Sequence, residues 1–350
     1  MNLQPSPTVR EEAFDKWLVL HSGLSPRVIH CLSEAGVETI GELQEWTDER
    51  LLRLRHFGVT SLKNVHWFRR WTTRAASAEF LFPHFRALLQ EFLNKSETFV
   101  LEQRYGLTDP LFRPQMRRRT LQEIANQLGG MTRERVRQIE EQGLLQLRSS
   151  LCRQLSQPFV RQLAGRLQSK GGVVLSAELG DWATDPLLGG CQPWGLLLLL
   201  TEVTDGIRLR HDYFTCLPAD LITRIEERVF EFLRQSSGLV SFARIKESVT
   251  STLSDIDLPW DRVLTVILNQ HPEISATSDG HYFLRDVGGP IILQEILRVQ
   301  PQPLHFYDLT RIYNERVQAN SRVGSGQILR QLTQMPAVRR VFRGVYELSA

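Results

Sequence analysis

Apolar residues recur at three- and four-residue steps through most of this 350-residue chain, a spacing that predicts helices far more often than strands. Leu24-Ser25-Pro26-Arg27 opens the first helix with proline in its first turn; Val28, Ile29, Leu32 and Ala35 face inward, and Gly36 ends it. Ile40, Leu43, Leu51, Leu52 and Leu54 mark two further short helices, and His56-Phe57-Gly58-Val59-Thr60-Ser61-Leu62 reads as a glycine turn into a fourth. Farther along, Leu121, Ile124, Ala125 and Leu128 make a short amphipathic helix after Thr120, and the small Ala125 permits close helix approach. Gly129-Gly130 breaks it, Thr132 caps the next helix, and Val136, Ile139, Gly143, Leu144 and Leu147 form that helix's inward edge. Helix, glycine turn and capped helix are the parts of a helix-turn-helix.

The outward edge of the capped helix carries Arg133, Glu134, Arg137 and Gln138. In a DNA major groove, arginine grips guanine, glutamine grips adenine and glutamate accepts from cytosine, so this face has the chemistry of a recognition helix. The plain alternative is a solvated charged face on an all-helical domain. Together, Val100-Leu101, Arg104-Tyr105-Gly106-Leu107, Thr120-Leu121-Gln122-Glu123-Ile124-Ala125 and the run from Thr132 to Glu140 resemble region four of the sigma-seventy transcription factors over residues 96–148. The resemblance implies that Arg133, Glu134, Arg137 and Gln138 meet the bases and adjacent phosphates of a promoter minus-thirty-five element. It implies that Arg104, Thr120 and Leu121 hold the DNA backbone. Ser96 stands where that family usually has a backbone-contacting arginine, which places grip on the upstream end in doubt.

Short helices joined by glycine turns, as in the N-terminal segment, suit backbone amides to phosphates. Leu24, Ser25, Arg27, Cys31-Leu32, Ala35-Gly36-Val37, Ile40-Gly41-Glu42-Leu43, Phe57-Gly58 and Ser61-Leu62 resemble the C-terminal domain of the bacterial RNA polymerase alpha subunit over residues 15–71. The resemblance implies minor-groove contact by Arg27, Gly58 and Ser61. His30 replaces the usual asparagine of that contact set and Thr60 the usual lysine, which implies weakened or altered DNA affinity. A helix-hairpin-helix module that docks on protein is the competing reading.

The remainder holds a weak threefold repeat of helix, short apolar strand, second helix, turn and aromatic strand. The copies end at His211-Asp212-Tyr213-Phe214, Asp279-Gly280-His281-Tyr282-Phe283-Leu284 and Arg343-Gly344-Val345-Tyr346-Glu347-Leu348. Each reads as a winged helix, with the membership of the first copy open. Their recognition segments, Pro259 to Leu268 and Gly324 to Leu332, are poor in basic residues, holding only Arg262 and Arg330 with Arg322 just before the second, which favours protein contact. The expected fold is therefore mainly α and multidomain: an alpha-C-terminal-like helix-hairpin-helix domain at 1–74, a sigma region-four-like helix-turn-helix domain at 80–154, then tandem winged-helix-like α+β units at 159–220, 224–286 and 288–350. Thr72 to Glu79 and Leu155 to Pro158 are the expected joints.

Charge changes this picture little. The whole chain carries +3, too little for bulk-charge binding to nucleic acid, while residues 81–157 alone carry +4. Arg117-Arg118-Arg119 lies before the helix-turn-helix, where it is either a phosphate contact or a solvated loop. Four Cys without a close pair and nine scattered His give no disulfide framework and no metal motif, and Cys31 and Cys152 read as small core residues. No Walker loop or nucleophile elbow is present, so neither catalytic residues nor a cofactor is expected. The apolar run Trp194 to Leu200 is too short for a bilayer, and a cytoplasmic protein is expected.

These features point to a transcription factor that reads a promoter-like element in double-stranded DNA and works with RNA polymerase. With no segment suited to trapping melted bases, it is not expected to open promoters alone. Docking of the region-four-like unit on the beta-subunit flap of core polymerase would require an apolar patch from Phe92, Leu93, Phe99 and Val100. The alternative is a DNA-binding subunit of a defence or mobile-element system that is independent of polymerase.

Overall fold

The computed structural model describes residues 19–22, 24–75, 82–109, 118–236, 238–300 and 302–349. Helix dominates, and the chain divides into two units: residues 1–170, 174–210 and 214–216 form the first, and 171–173, 211–213 and 217–350 the second.

The first unit opens with α1 (Pro26–Glu34), α2 (Ile40–Glu45), α3 (Asp48–Leu52) and α4 (Val59–Ala75). Pro26 occupies the first turn of α1, where its missing N–H costs nothing, and Thr39 and Glu42 close a capping box on α2. In the turn before α4 the left-handed residue is His56 (φ 62°), not Gly58. Of the leucines that mark the short helices, Leu51 is buried and Leu52 is exposed.

Next come α5 (Phe85–Phe92), α6 (Lys95–Tyr105), α7 (Leu121–Gln127) and α8 (Arg133–Leu147), each with a side-chain N-cap. They lead into α9 (Ser150–Ser169), a 20-residue helix that buries Leu151, Cys152, Leu155, Phe159, Val160, Leu163 and Leu167. The joint expected at Leu155 to Pro158 is not there: all four residues lie inside α9, which accommodates Pro158 in its interior. Leu155 is core rather than linker. The other expected joint, Thr72 to Glu79, begins inside α4, which runs to Ala75 and buries Thr72, and residues 76–79 lie outside the described residues.

Helix α10 (Pro193–Val203) buries nine of its eleven residues, so the run Trp194 to Leu200 is a core helix. No helix among the described residues is long and apolar enough to cross a membrane. Side chains of α1, α2, α4, α5, α6, α9 and α10 join in one hydrophobic core, in which Trp67 meets Phe92 edge to face at 5.3 Å and Phe85 meets Phe159 at 5.7 Å. The two N-terminal modules, expected as separate small domains, thus share an interior.

The same strand order recurs three times after α8. Strands β1 (Val173–Leu175), β2 (Arg208–Arg210) and β3 (Tyr213–Thr215) lie in the order β1-β3-β2, with two 3-10 turns in place of the second helix. In the second unit, α11 (Ala219–Gln235), β4 (Val240–Ser241), α12 (Phe242–Thr252), α13 (Trp260–Gln270), β5 (Ile274–Ala276) and β6 (His281–Leu284) place β6 between β4 and β5. Then α14 (Gly288–Val299), β7 (Leu304–His305), α15 (Phe306–Arg316), α16 (Ser325–Gln334), β8 (Val338–Phe342) and β9 (Val345–Leu348) repeat it, with β9 central. Helix, strand, two helices and a hairpin whose last strand is central make a winged-helix topology in both copies. Pairing is antiparallel, with Val240 and Ala276 flanking Tyr282. Phe283 of one copy packs in the core of the next, and Gly288 allows this approach, since a Cβ there would lie 2.5 Å from Phe283.

Cys31, Cys152 and Cys191 are buried free thiols and Cys216 is a half-buried one. Burial pushes the Cys191 thiol up to about 12 and Cys216 up to about 11.

Gly195 makes a close helix contact in the first unit: a Cβ there would stand 2.3 Å from the Tyr105 carbonyl oxygen, a backbone atom with no rotamer to move. Gly195→Ala is expected to lower stability by about 1–3 kcal/mol in urea denaturation. Gly165→Ala, in α9 with open space around it, should gain about 0.5–1 kcal/mol.

Candidate nucleic-acid interface

Helices α6, α7 and α8 enclose a small core of Val100, Ile124, Ala125, Val136 and Ile139, separate from the large one. Two devices set their geometry. Thr120 and Thr132 cap α7 and α8 by accepting the backbone N–H of Glu123 and Arg135, and Gly129 (φ 62°) and Gly130 (φ 116°) turn the chain between them. Gly143 then lets α8 lie against α6, its absent Cβ standing 3.1 Å from Leu101. Burying Val136, Ile139, Gly143 and Leu147 leaves Arg133, Glu134, Arg137 and Gln138 exposed together, as the periodicity predicts.

These exposed side chains hold one another. Arg137 donates to both carboxylate oxygens of Glu134, from Nη2 at 2.9 Å and Nε at 3.0 Å, and from Nη1 to Glu141 at 3.0 Å. Arg135 donates to Gln138 at 3.2 Å, and Gln138 to Glu134 at 3.4 Å. The Arg137 guanidinium, bonded to Glu134, keeps that carboxyl below the usual carboxylate range, and the same pair raises Arg137. Glu141 and Arg135 do not stand out in the sequence, although Glu141 lies four residues from Arg137 and Arg135 three from Gln138, a readable signal.

Arg104, Thr120, Leu121, Gln122 and Arg133 line one open cleft beside α8, so the residues expected on the DNA backbone adjoin a residue expected on the bases. Arg104 is fixed there by Glu140 at 3.0 Å and by the Arg119 carbonyl. Two arginines read as either phosphate contacts or part of a solvated loop are instead paired within the protein. Arg118 pairs with Glu202 at 2.6 Å and lies over the Tyr105 ring, and Arg119 pairs with Asp109 at 2.7 Å. Arg117 lies outside the described residues. Glu202 also takes Arg148, so one acid of α10 anchors both ends of the helix-turn-helix. Burial pushes the Tyr105 hydroxyl up to about 12 despite the nearby Arg118. Ser96 is exposed in the first turn of α6 and supplies no arginine there.

On the N-terminal module, Arg27, His30 and Gly58 are exposed, and Arg27 Nε donates to the His56 carbonyl at 3.0 Å, joining the start of α1 to the turn before α4. Ser25 N–H donates to Asn64 at 2.9 Å and closes the same corner. His30 faces Glu34 at 3.3 Å. Ser61 departs from expectation: it is only 7% exposed, because the first turn of α4 points it into the core. Thr60 is exposed.

The expected apolar patch is also absent. Phe92 and Leu93 belong to the large core and Val100 to the small one, while Phe99 is half-buried. What remains open is a shallow cleft lined by Gln90, Leu93, Lys95, Thr98, Phe99 and Glu102.

Residues 18–67 match the C-terminal domain of the bacterial RNA polymerase alpha chain, and residues 92–149 match region 4 of sigma-70. Both matched families are DNA-binding parts of the transcription apparatus, neither is an enzyme family, and together they span under a third of the chain. No curated protein and no solved structure matches it.

The cap that starts the recognition face is open to test. Thr132→Ala should cost about 1 kcal/mol in thermal or urea unfolding. Because it frays the turn carrying Arg133 and Glu134, it should also weaken DNA binding measured by fluorescence anisotropy.

Proposed function

We propose that this protein is a sequence-specific DNA-binding factor that reads a minus-thirty-five type promoter element and acts with RNA polymerase in initiation. The observation that carries the proposal is α8: a capped helix held off the protein by its buried edge, with Arg133, Glu134, Arg137 and Gln138 exposed together beside a cleft formed by Arg104, Thr120 and Leu121. In this reading Arg137 and Gln138 read base edges, Glu134 and Arg133 complete the face, and the cleft residues seat the DNA backbone. Arg27, His30 and Gly58 make a second contact, in the minor groove, with Ser61 contributing its place in the first turn of α4. The winged-helix-like repeats, taken as units near 159–220, 224–286 and 288–350, contact other proteins. Such partners place the protein in the cytoplasm.

For polymerase, the surface to probe is the beta-subunit flap. Burial of Phe92, Leu93 and Val100 favours a second reading, in which the DNA-binding modules serve a system independent of polymerase. Co-purification with core polymerase separates the two: retention supports the first, and none at low salt supports the second.

Three measurements test the details. Arg137→Ala or Gln138→Ala should cost roughly 1–3 kcal/mol on the preferred site, selected from random DNA, and leave non-specific binding nearly intact. Equal loss on all sequences would remove the recognition role of α8. Arg27→Ala should weaken binding where an A-tract flanks the main site and change little where it does not; footprints indifferent to the A-tract would favour protein docking for the N-terminal module. Core polymerase with this protein alone should give no run-off transcript from linear duplex, and stimulation should need a complete sigma factor or a pre-melted template. A transcript from linear duplex with only core enzyme and this protein would overturn the accessory role.

A further inference from the structure

The second unit brings together three side chains that lie far apart in sequence. His211, Glu226 and His271 each present one ligating atom, and the three atoms lie within 4.8 Å of one another. They come from different elements: His211 from the turn before β3, Glu226 from the third turn of α11, and His271 from the C-cap of α13. Their rings and carboxylate are in direct contact, with the two imidazoles 4.5 Å apart between centroids.

Two of the three are unusual for their place. The inward face of α11 is Leu221, Ile222, Ile225, Val229 and Leu233, and among these apolar groups sits Glu226, whose side chain is 8% exposed. His211 takes a left-handed backbone (φ 51°), a conformation costly for a residue with a Cβ, and this turns its imidazole toward Glu226. The separation of His211 Nε2 from Glu226 Oε1 is 3.6 Å, long for a hydrogen bond. Ligands on one tetrahedral zinc, at about 2.1 Å from the metal, stand roughly 3.4 Å apart, so a shared ion fits the gap better than a proton does.

We propose that His211, Glu226 and His271 form a site for a zinc-type divalent transition metal, two imidazole nitrogens and one carboxylate oxygen filling three positions of a tetrahedral shell. Oxygen-seeking magnesium and calcium are disfavoured by the paired imidazoles. The ring of His271 is packed edge-on against Phe230 at 4.7 Å, so it is held in place before any ion arrives. Its Nδ1 accepts the Glu273 N–H at 3.2 Å, a long contact that a ligating imidazole surrenders. The ion would tie the end of α13, the helix in the recognition position of this winged-helix-like copy, to α11 and to the strand preceding it. The inference is independent of whether the first unit reads DNA.

The test uses the untagged full chain, stripped with chelator and titrated with zinc by calorimetry and with cobalt by visible absorption. One equivalent of zinc should bind, cobalt should give the d–d bands of a tetrahedral site, and zinc should displace them. His211→Ala and His271→Ala should each weaken binding roughly tenfold or more, since even indirect supports of a metal site cost 10–100-fold when removed. Glu226→Gln keeps the shape of the side chain and should weaken zinc without changing the melting temperature of the metal-free protein beyond that of the histidine variants. His281→Ala removes an exposed histidine paired with Asp279 and should leave the zinc affinity unchanged. Absence of stoichiometric zinc binding, or wild-type affinity in both His211→Ala and His271→Ala, would overturn the proposal.

Discussion

Burial of α9 is the constraint on which the first unit depends. Seven of its apolar or thiol side chains are interior, and α4, α5 and α8 pack against it. Each buried leucine or phenylalanine contributes about 1.5–3 kcal/mol, whereas an exposed ion pair contributes about 0–1 kcal/mol. The apolar helix therefore decides the arrangement, and pairs such as Arg70 with Glu91 follow it. An interior proline normally costs a helix a hydrogen bond, and Pro158 in α9 is tolerated because the flanking Leu155, Phe159 and Val160 are anchored in the core.

Local chemistry was readable in the sequence wherever it acts over a few residues. Thr120, Thr132 and Gly129-Gly130 announce the helix-turn-helix, and the spacing of Val136, Ile139, Gly143 and Leu147 assigns the exposed face correctly. What failed were inferences about long-range partners. Pro158 reads as a break because the buried face of α9 becomes decisive only when α4 and α5 arrive. Phe92 and Leu93 read as an open patch because their cover comes from the rest of the large core, Trp67 for Phe92. Arg118 and Arg119 read as solvent-facing because Glu202, 84 residues from Arg118, is invisible to a local pattern. The same holds for His211, Glu226 and His271, which no sequence spacing brings together.

The exposed face of α8 is organised by Glu134 as much as by its arginines. That carboxylate accepts from Arg137 and Gln138 at once, so both groups best suited to base edges are held in extended, ordered positions before any ligand is present. Ordering long side chains in advance reduces the entropy lost on binding. On the proposed reading, a base must offer Arg137 a better acceptor pair than the one it has. Discrimination would then arise from exchange of one bidentate partner for another, and a base edge with mismatched acceptors would leave Glu134 the preferred partner.

Because α4, α5 and α9 share one interior, the surfaces around Arg27 and around Arg137 belong to a single folded body instead of two beads on a string. A tethered pair would tolerate variable spacing between its two targets. A single body behaves as a caliper: on the proposed reading, its two contact points must lie at a set separation and on a set side of the duplex. Inserting half a helical turn between the two sequence elements rotates one of them away, and a full turn restores the facing but not the reach. The spacer between the elements, which neither surface touches, thereby becomes part of what is read.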